Sequence, residues 1–234
     1  MYESLAYEVS DGIALITLNR EFRHNAIDTT MGRELPRVWS AFNADPGAVV
    51  AIITGAGARA FCSGADIGDV PALDLSDREA AAASMKWTSR HNDVWKPVIC
   101  AVNGLVNGAG LHFLADSDIV LAADTATFFD SHVNVGLVSA LESVGLARRM
   151  PIEAVLRMAL LGSKERMSAA RALQCGLVGE VVAPDQLMDR ALVRKSVGVG
   201  QGVDGGGGGW SLKAHRHFGW QDIMNLEFSI DRQI

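Results

Sequence analysis

Two short turns rich in small residues, FCSGAD (61–66) and NGAGLH (107–112), each follow an apolar run, and the second ends on a histidine, His112. Gly and Ala leave room for backbone N–H groups to approach a ligand, and a helix start supplies such groups unpaired. Two N–H donors aimed at one point form an oxyanion hole, which holds the negative oxygen that develops on an acyl or thioester carbonyl. A helix opening at the second turn adds its positive end to the effect. Taken singly, each turn reads equally well as a tight connection without function. His112 lies three residues past Ala109 and shares its helical face. A histidine's ordinary pKa of about 6.5 suits proton transfer near neutral pH.

Other chemistries fit less well. The GAG after VVAIIT suggests a dinucleotide site, but GAGARA lacks the third glycine of G-x-G-x-x-G, and no acidic residue ends a second strand about 20 residues on. Cys62, Cys100 and Cys175 are an odd number with no CxxC pattern, which argues against a disulfide framework and a zinc site. His215, Arg216 and His217 beside Lys213 could form a metal or phosphate patch; with no further ligands around them they read instead as a solvated helix face. No metal is therefore expected.

The elements that must position these residues alternate. IALITLN (13–19), VVAIIT (49–54), PVICAVNG (97–104), DIVLAAD (118–124) and LVGEVV (177–182) are apolar, β-branched runs that read as strands. Met31, Leu35, Val38, Trp39 and Phe42 recur at helical spacing, in a helix that Pro36 should kink or shorten. Residues 78–95 are helix-forming by composition and stop before Pro97. Residues 152–162 and 168–176 read as helices that each finish on a glycine suited to a left-handed cap. Strands alternating with helices give an α/β class. Between 197 and 209 there are eight glycines in thirteen residues, which predicts a flexible loop, and 210–230 regains helical potential.

At 234 residues, 49% of them hydrophobic, the chain can bury one substantial core. Lys and Arg total 21 against 27 Asp and Glu, so the net charge of −6 shows no nucleic-acid footprint. No apolar run reaches the roughly 18 residues of a membrane span, and the N-terminus lacks the order of a signal peptide. A cytoplasmic protein with no membrane partner is the expectation.

LNREFRHNAID (18–28), ITGAGARAFCSGADI (53–67), KPVICAVNGLVNGAGLHFLADSDIVLAADTATF (96–128) and the run through GLVGEVV (176–182) resemble the crotonase superfamily, typified by enoyl-CoA hydratases and isomerases. The resemblance covers about residues 5–190. It implies a crotonase-like repeated ββα core over 1–190; composition then gives a Gly-rich flexible segment (191–209), and against the family's usual length 210–234 is a shortened C-terminal helical remnant. It also implies a homotrimer or hexamer, and an acyl-CoA substrate with coenzyme A entering only as part of the thioester and no separate cofactor. Carried over residue by residue, the oxyanion amides are those of Ala65 and Ala109. Arg23, Ser63 and Asp66 match positions along coenzyme A.

The departures from the family pattern concern the reacting groups. Typical hydratases carry one glutamate three residues after the oxyanion glycine and another about twenty residues later; here those places hold His112 and His132, the latter in FFDSHVNVG. Two histidines at both posts make them the candidate catalytic pair, and if close they titrate together, one holding the proton while the other is a base. Three readings follow. The first is hydration or isomerisation of an enoyl-CoA. The second is hydrolytic C–C cleavage of a β-dicarbonyl compound, because His132 resembles a histidine of the 6-oxocamphor hydrolase branch, although Leu141 stands where that branch has an Asp and Glu142 is one residue off. The third is a non-catalytic CoA-ester binder, suggested by the glycine-rich tail and a chain that stops short of the family's usual C-terminal helix.

Overall fold

The structure is a computed structural model that describes residues 2–69, 85–139 and 141–198. The large sheet runs β1 (Leu5–Ser10), β2 (Ile13–Leu18), β3 (Val50–Gly55), β5 (Val98–Val102), β7 (Ile119–Ala123) and β10 (Glu180–Val182), in that spatial order. A smaller sheet orders β4 (Ala60–Cys62), β6 (Leu105–Asn107), β8 (Thr127–Phe129) and β9 (Met167–Ser168). β1 joins β2 as an antiparallel hairpin closed by Asp11 and Gly12, both at positive φ; from β2 to β10 the large sheet is parallel.

The chain passes from large sheet to small sheet three times, at β3–β4, β5–β6 and β7–β8. Because β3, β5 and β7 are parallel neighbours and so are β4, β6 and β8, the three passes are copies of one unit laid side by side. That is the repeated ββα core implied by the resemblance. Its consequence for function is simple: the residues that follow β4, β6 and β8 emerge at one end of the small sheet.

Side-chain alternation along the strands explains why both faces of the large sheet are covered. Ala14, Ile16, Leu18, Ala51, Ile53, Cys100 and Val102 face one buried cluster, and Ile13, Val50, Ile52, Ile99, Ala101, Leu121 and Ala123 face the other. Leu187 and Ala191, from the helix Leu187–Gly198, pack into the second cluster. The compact unit runs to Ser196, so the boundary expected at 190 falls within this helix, and residues 191–198 continue it rather than opening a glycine-rich loop. The remainder of that loop and the histidine patch at 215–217 lie outside the described residues.

Two expectations are corrected. Helix Thr29–Ala44 runs through Pro36 unbroken. An internal proline costs about 3 kcal/mol, but Met31, Leu35, Val38, Trp39 and Phe42 are all fully buried on one face, and each such side chain contributes about 1.5–3 kcal/mol; packing outweighs the break. Asp28 caps the helix by accepting from the Met31 N–H. The described part of 78–95 is not helical beyond one 3-10 turn, Arg90–Asn92. Distant groups hold this segment instead: Trp39 Nε1 donates to the Trp87 carbonyl at 2.8 Å and Thr88 Oγ1 to Asp116 at 2.6 Å. Residues 78–84 lie outside the described residues. Elsewhere the helices Ile152–Leu161 and Ala169–Cys175 match their expected spans, and Gly176 closes the second in the left-handed region.

Candidate active site

Three turns leave neighbouring parallel strands of the small sheet side by side: Ser63-Gly64-Ala65 after β4, Gly108-Ala109-Gly110 after β6, and Asp130-Ser131-His132 after β8. The sequence groups singled out for chemistry therefore meet because they occupy matching places in the repeat. Close approach depends on glycine. A Cβ on Gly110 would stand 2.7 Å from the Cys62 carbonyl oxygen, and one on Gly64, whose φ is +99°, would stand 3.1 Å from the Asn107 oxygen and 3.6 Å from the Ala109 nitrogen. The first two turns are thus in direct contact.

Their amides have definite directions. Ile27 bridges Ala65 in parallel fashion, taking the Gly64 carbonyl at 2.8 Å and accepting from Asp66 N at 2.8 Å; in such a bridge the N–H of Ala65 itself points away from Ile27. Ala109 sits in the 3-10 turn Gly108–Gly110, which leads into helix Leu111–Asp116. First-turn N–H groups have no partner within their own helix. Both positions carry only a methyl side chain, and Ala109 is buried.

His112 lies one residue into the 111–116 helix and is 4% exposed. His132 lies on the 3-10 turn His132–Val135, where its Cε1 comes within 3.6 Å of where a Cβ on Gly108 would be. Glu142, buried in the helix Leu141–Leu146, joins them: its Oε1 is 3.0 Å from His112 Nε2 and 3.7 Å from His132 Nε2. On the far side of His132, Asp130 Oδ1 is 2.5 Å from Nδ1, and Ser139 Oγ donates to Asp130 Oδ2. The result is a chain of four groups, Asp130, His132, Glu142, His112.

The charges in this chain follow from its contacts. The hydrogen bond with Asp130 raises the pKa of His132; burial opposes the rise, and the Glu142 charge adds to it. Burial pushes Asp130 up, but the hydrogen bonds from His132 and Ser139 outweigh it and hold the carboxyl below its ordinary value. Glu142 is likewise pushed up by burial and brought below its ordinary value by the His112 hydrogen bond and the two histidines' charges. Both carboxylates are then acceptors only, so His132 donates from Nδ1 to Asp130 and His112 donates from Nε2 to Glu142. In the tautomer with a single ring proton on Nε2, the lone pair of His112 is on Nδ1.

Asp130 and Glu142 are the two groups that sequence reasoning missed as parts of this chain. Asp130 precedes His132 by two residues, a spacing with no motif behind it, and Glu142 is brought in by a helix whose placement the sequence does not reveal. Two more residues flank His112: the rings of His91 and Trp87 stand edge-on to it, with centroids 5.9 and 6.2 Å away. Cys62, beside Gly110, is no nucleophile, because burial pushes its thiol up to about 12. Among the described residues no group of three or more His, Cys, Asp or Glu could hold a metal ion.

The three residues read along coenzyme A lie around the 20–28 loop. Arg23 is exposed on the turn Glu21–Arg23. Ser63 Oγ is 3.4 Å from the Arg23 carbonyl. Asp66 is engaged within the protein, with Arg20 Nη1 and Nη2 each 3.1 Å from its Oδ2 and Gly68 N donating to Oδ1. Arg20 also pairs with Asp28 at 2.9 Å and donates to the Ala26 carbonyl, which ties the Ala65 turn to this loop.

Comparisons with known proteins agree with this fold. Residues 8–196 match the family model of enoyl-CoA hydratase/isomerase. The chain is 35% identical over 192 residues to the (E)-benzylidenesuccinyl-CoA hydratase of Thauera aromatica, covering 79% of this chain and 72% of that protein. It is 34% identical over 194 residues to the carnitinyl-CoA dehydratase of Proteus mirabilis, covering 82% and 72%. A crystal structure of an enoyl-CoA hydratase/isomerase from Mycobacterium paratuberculosis superposes with a TM-score of 0.78 at 39% identity, over 84% of this chain and 77% of that one. With its repeated ββα core and a family match over most of its length, the chain belongs to the enoyl-CoA hydratase/isomerase family of the crotonase superfamily.

Proposed function

We propose that the protein adds water to, or removes it from, an acyl-CoA thioester, with His112 as base, His132 as acid and the Ala65 and Ala109 amides holding the thioester oxygen. The observation that carries this reading is the Asp130–His132–Glu142–His112 chain. In the hydration direction His112 Nδ1 takes a proton from water as its oxygen bonds to the β-carbon. Electrons move to the thioester oxygen, where two backbone N–H groups stabilise the enolate. His132 Nε2 then gives its proton to the α-carbon. One proton is gained at His112 and one lost at His132, so the pair must be reset. Glu142 Oε1, 3.0 and 3.7 Å from the two Nε2 atoms, can carry the His112 Nε2 proton to His132 Nε2, and His112, left protonated at Nδ1 alone, regains its starting tautomer by proton exchange with solvent water.

Exposed Arg23, with Ser63 and Asp66 on the same side, supports a coenzyme A path along the 20–28 loop. Exposed Ile152, Leu156 and Leu160 on one helix support self-association as a homotrimer or hexamer.

A second reading gains from one observation. Asp130 supplies His132 Nδ1 with the carboxylate that Leu141 cannot, so a His–Asp pair able to activate water for ketone attack is present after all. One assay set separates the readings: enoyl-CoA esters of several chain lengths, and separately a cyclic β-diketone. Turnover of the thioesters supports hydration, and ring-opened acid from the diketone supports C–C hydrolysis. A folded protein that binds CoA esters and turns over neither would sink both.

A further inference from the structure

Asn107 is the last residue of β6, an inner strand of the small sheet, registered against Phe129 of β8 on one side and next to Val106, which pairs with Cys62 of β4, on the other. It stands at the N-cap of the Gly108–Gly110 turn, in extended backbone, with φ −142° and ψ 145°. An asparagine there ordinarily turns its side chain back onto the amides of the first turn. This one makes no such cap. Its Nδ2 donates to the Ser63 carbonyl at 2.9 Å, and its Oδ1 accepts from the Ser131 N–H at 2.9 Å. One partner is an acceptor and the other a donor, so the amide satisfies both in only this orientation.

We propose that Asn107 is a positioning residue that fixes the Ala65 amide and the His132 ring relative to one another, while leaving the Ala109 amide free for the thioester oxygen. The inference rests on the reading of the site given above. Ser63 is two residues before Ala65, and Ser131 is adjacent to both Asp130 and His132, so each hydrogen bond acts on one half of the site. A capping asparagine would occupy the first-turn amides; this one instead spans the two outer turns from between them. Proton delivery and enolate binding are thereby held in one frame. A misplacement of about 1 Å in such an arrangement can cost about 10²-fold in rate.

The test compares the parent with Asn107→Leu, which keeps the branching at Cγ and loses both bonds, and Asn107→Asp, which keeps only the acceptor. On an enoyl-CoA ester that the parent turns over, Asn107→Leu is expected to lose about 10- to 100-fold in kcat with KM changed less than about threefold, since the loss falls on alignment rather than binding. Asn107→Asp is expected to fall at least as far, because its carboxylate faces the Ser63 carbonyl. Imidazole ¹⁵N NMR of His132 supplies a readout that needs no turnover and that a general loss of stability would not move. Release of Ser131 lets His132 drift from Glu142, so its titration midpoint should move down in Asn107→Leu. Parent-like kcat in the folded Leu variant would overturn the proposal, as would lost activity with the His132 titration unmoved. If Asn107→Leu does not fold, Asn107→Asp decides on the same kcat criterion. A parent inert toward every CoA ester would defeat the hydratase reading instead, while the NMR comparison would still decide the role of Asn107.

Discussion

The side chain of His112 is 6% exposed and sits inside a helix, whereas that of His132 is 24% exposed and sits on a 3-10 turn between two carboxylates. Both follow strands of the same small sheet, one repeat apart. The first has a single carboxylate contact, through Nε2, and aromatic neighbours on its flank; the second has Asp130 on one nitrogen and Glu142 near the other. Two anionic neighbours favour the imidazolium, which suits His132 to the acid role proposed for it. One repeated backbone unit has thus been given two chemical environments by its neighbours, which is how two residues of the same type can serve as acid and base.

The largest effect should come from removing either histidine. His112→Gln and His132→Gln are each expected to lose about 10²–10⁴ in kcat on an enoyl-CoA ester, the usual range for a lost general acid or base. The pH profiles should differ. A base must be neutral and an acid protonated, so His112→Gln should flatten the acidic limb of kcat and His132→Gln the alkaline limb. If both substitutions flatten the same limb, the two histidines do not divide the roles.

A smaller effect should follow Asp130→Asn, which keeps the size of the side chain and removes one of the two charges beside His132. The raised pKa of His132 should then fall, moving the alkaline limb of kcat to lower pH while the acidic limb stays in place. Stability follows the same shifts. A histidine whose pKa is higher in the folded state contributes stability below its unfolded value, and this is lost as pH rises through the folded value. Asp130 and Glu142, held below their ordinary values, contribute above those values and lose it as pH falls through the folded ones. Thermal unfolding of the parent should therefore weaken from neutral toward alkaline pH, and Asp130→Asn should show less of that slope. A slope identical in the two proteins would remove the Asp130–His132 pair from the argument.

How much of this was legible beforehand varies with the range of the interaction. The five expected strands of the large sheet are present, because continuous β-branched runs buried on both faces carry their own signal. The short strands of the small sheet, only two or three residues each, carry none. β1 was also unread, since only Leu5 of its six residues is buried and its alternation is weak. At the site, His112 and His132 were identified through a resemblance in the spacing of glycine turns. Glu142 stands one place out of register with the position the resemblance points to, and no local pattern marks Asn107. Their partners are 30 residues away for Glu142 to His112, and 44 and 24 for Asn107 to Ser63 and Ser131. Contacts at such separations are made by the sheet, and local pattern does not encode them.

The smallest effect concerns Cys62, which packs against Gly110. A thiol next to an oxyanion turn invites a covalent mechanism, and the comparison of the two histidines would mean little if sulfur did the work. Burial makes that thiol a poor nucleophile, raising it to about 12. The Cβ of Cys62 would lie 3.0 Å from a Cβ on Gly110, so alanine keeps the atom the turn packs on and loses only the sulfur. Cys62→Ala should keep kcat within about twofold and cost on the order of 1 kcal/mol in stability from the small cavity, read by denaturant unfolding. The parent should also keep its activity in iodoacetamide while folded. Loss of turnover in a stable Cys62→Ala protein would move the chemistry from the two rings to the sulfur between the turns.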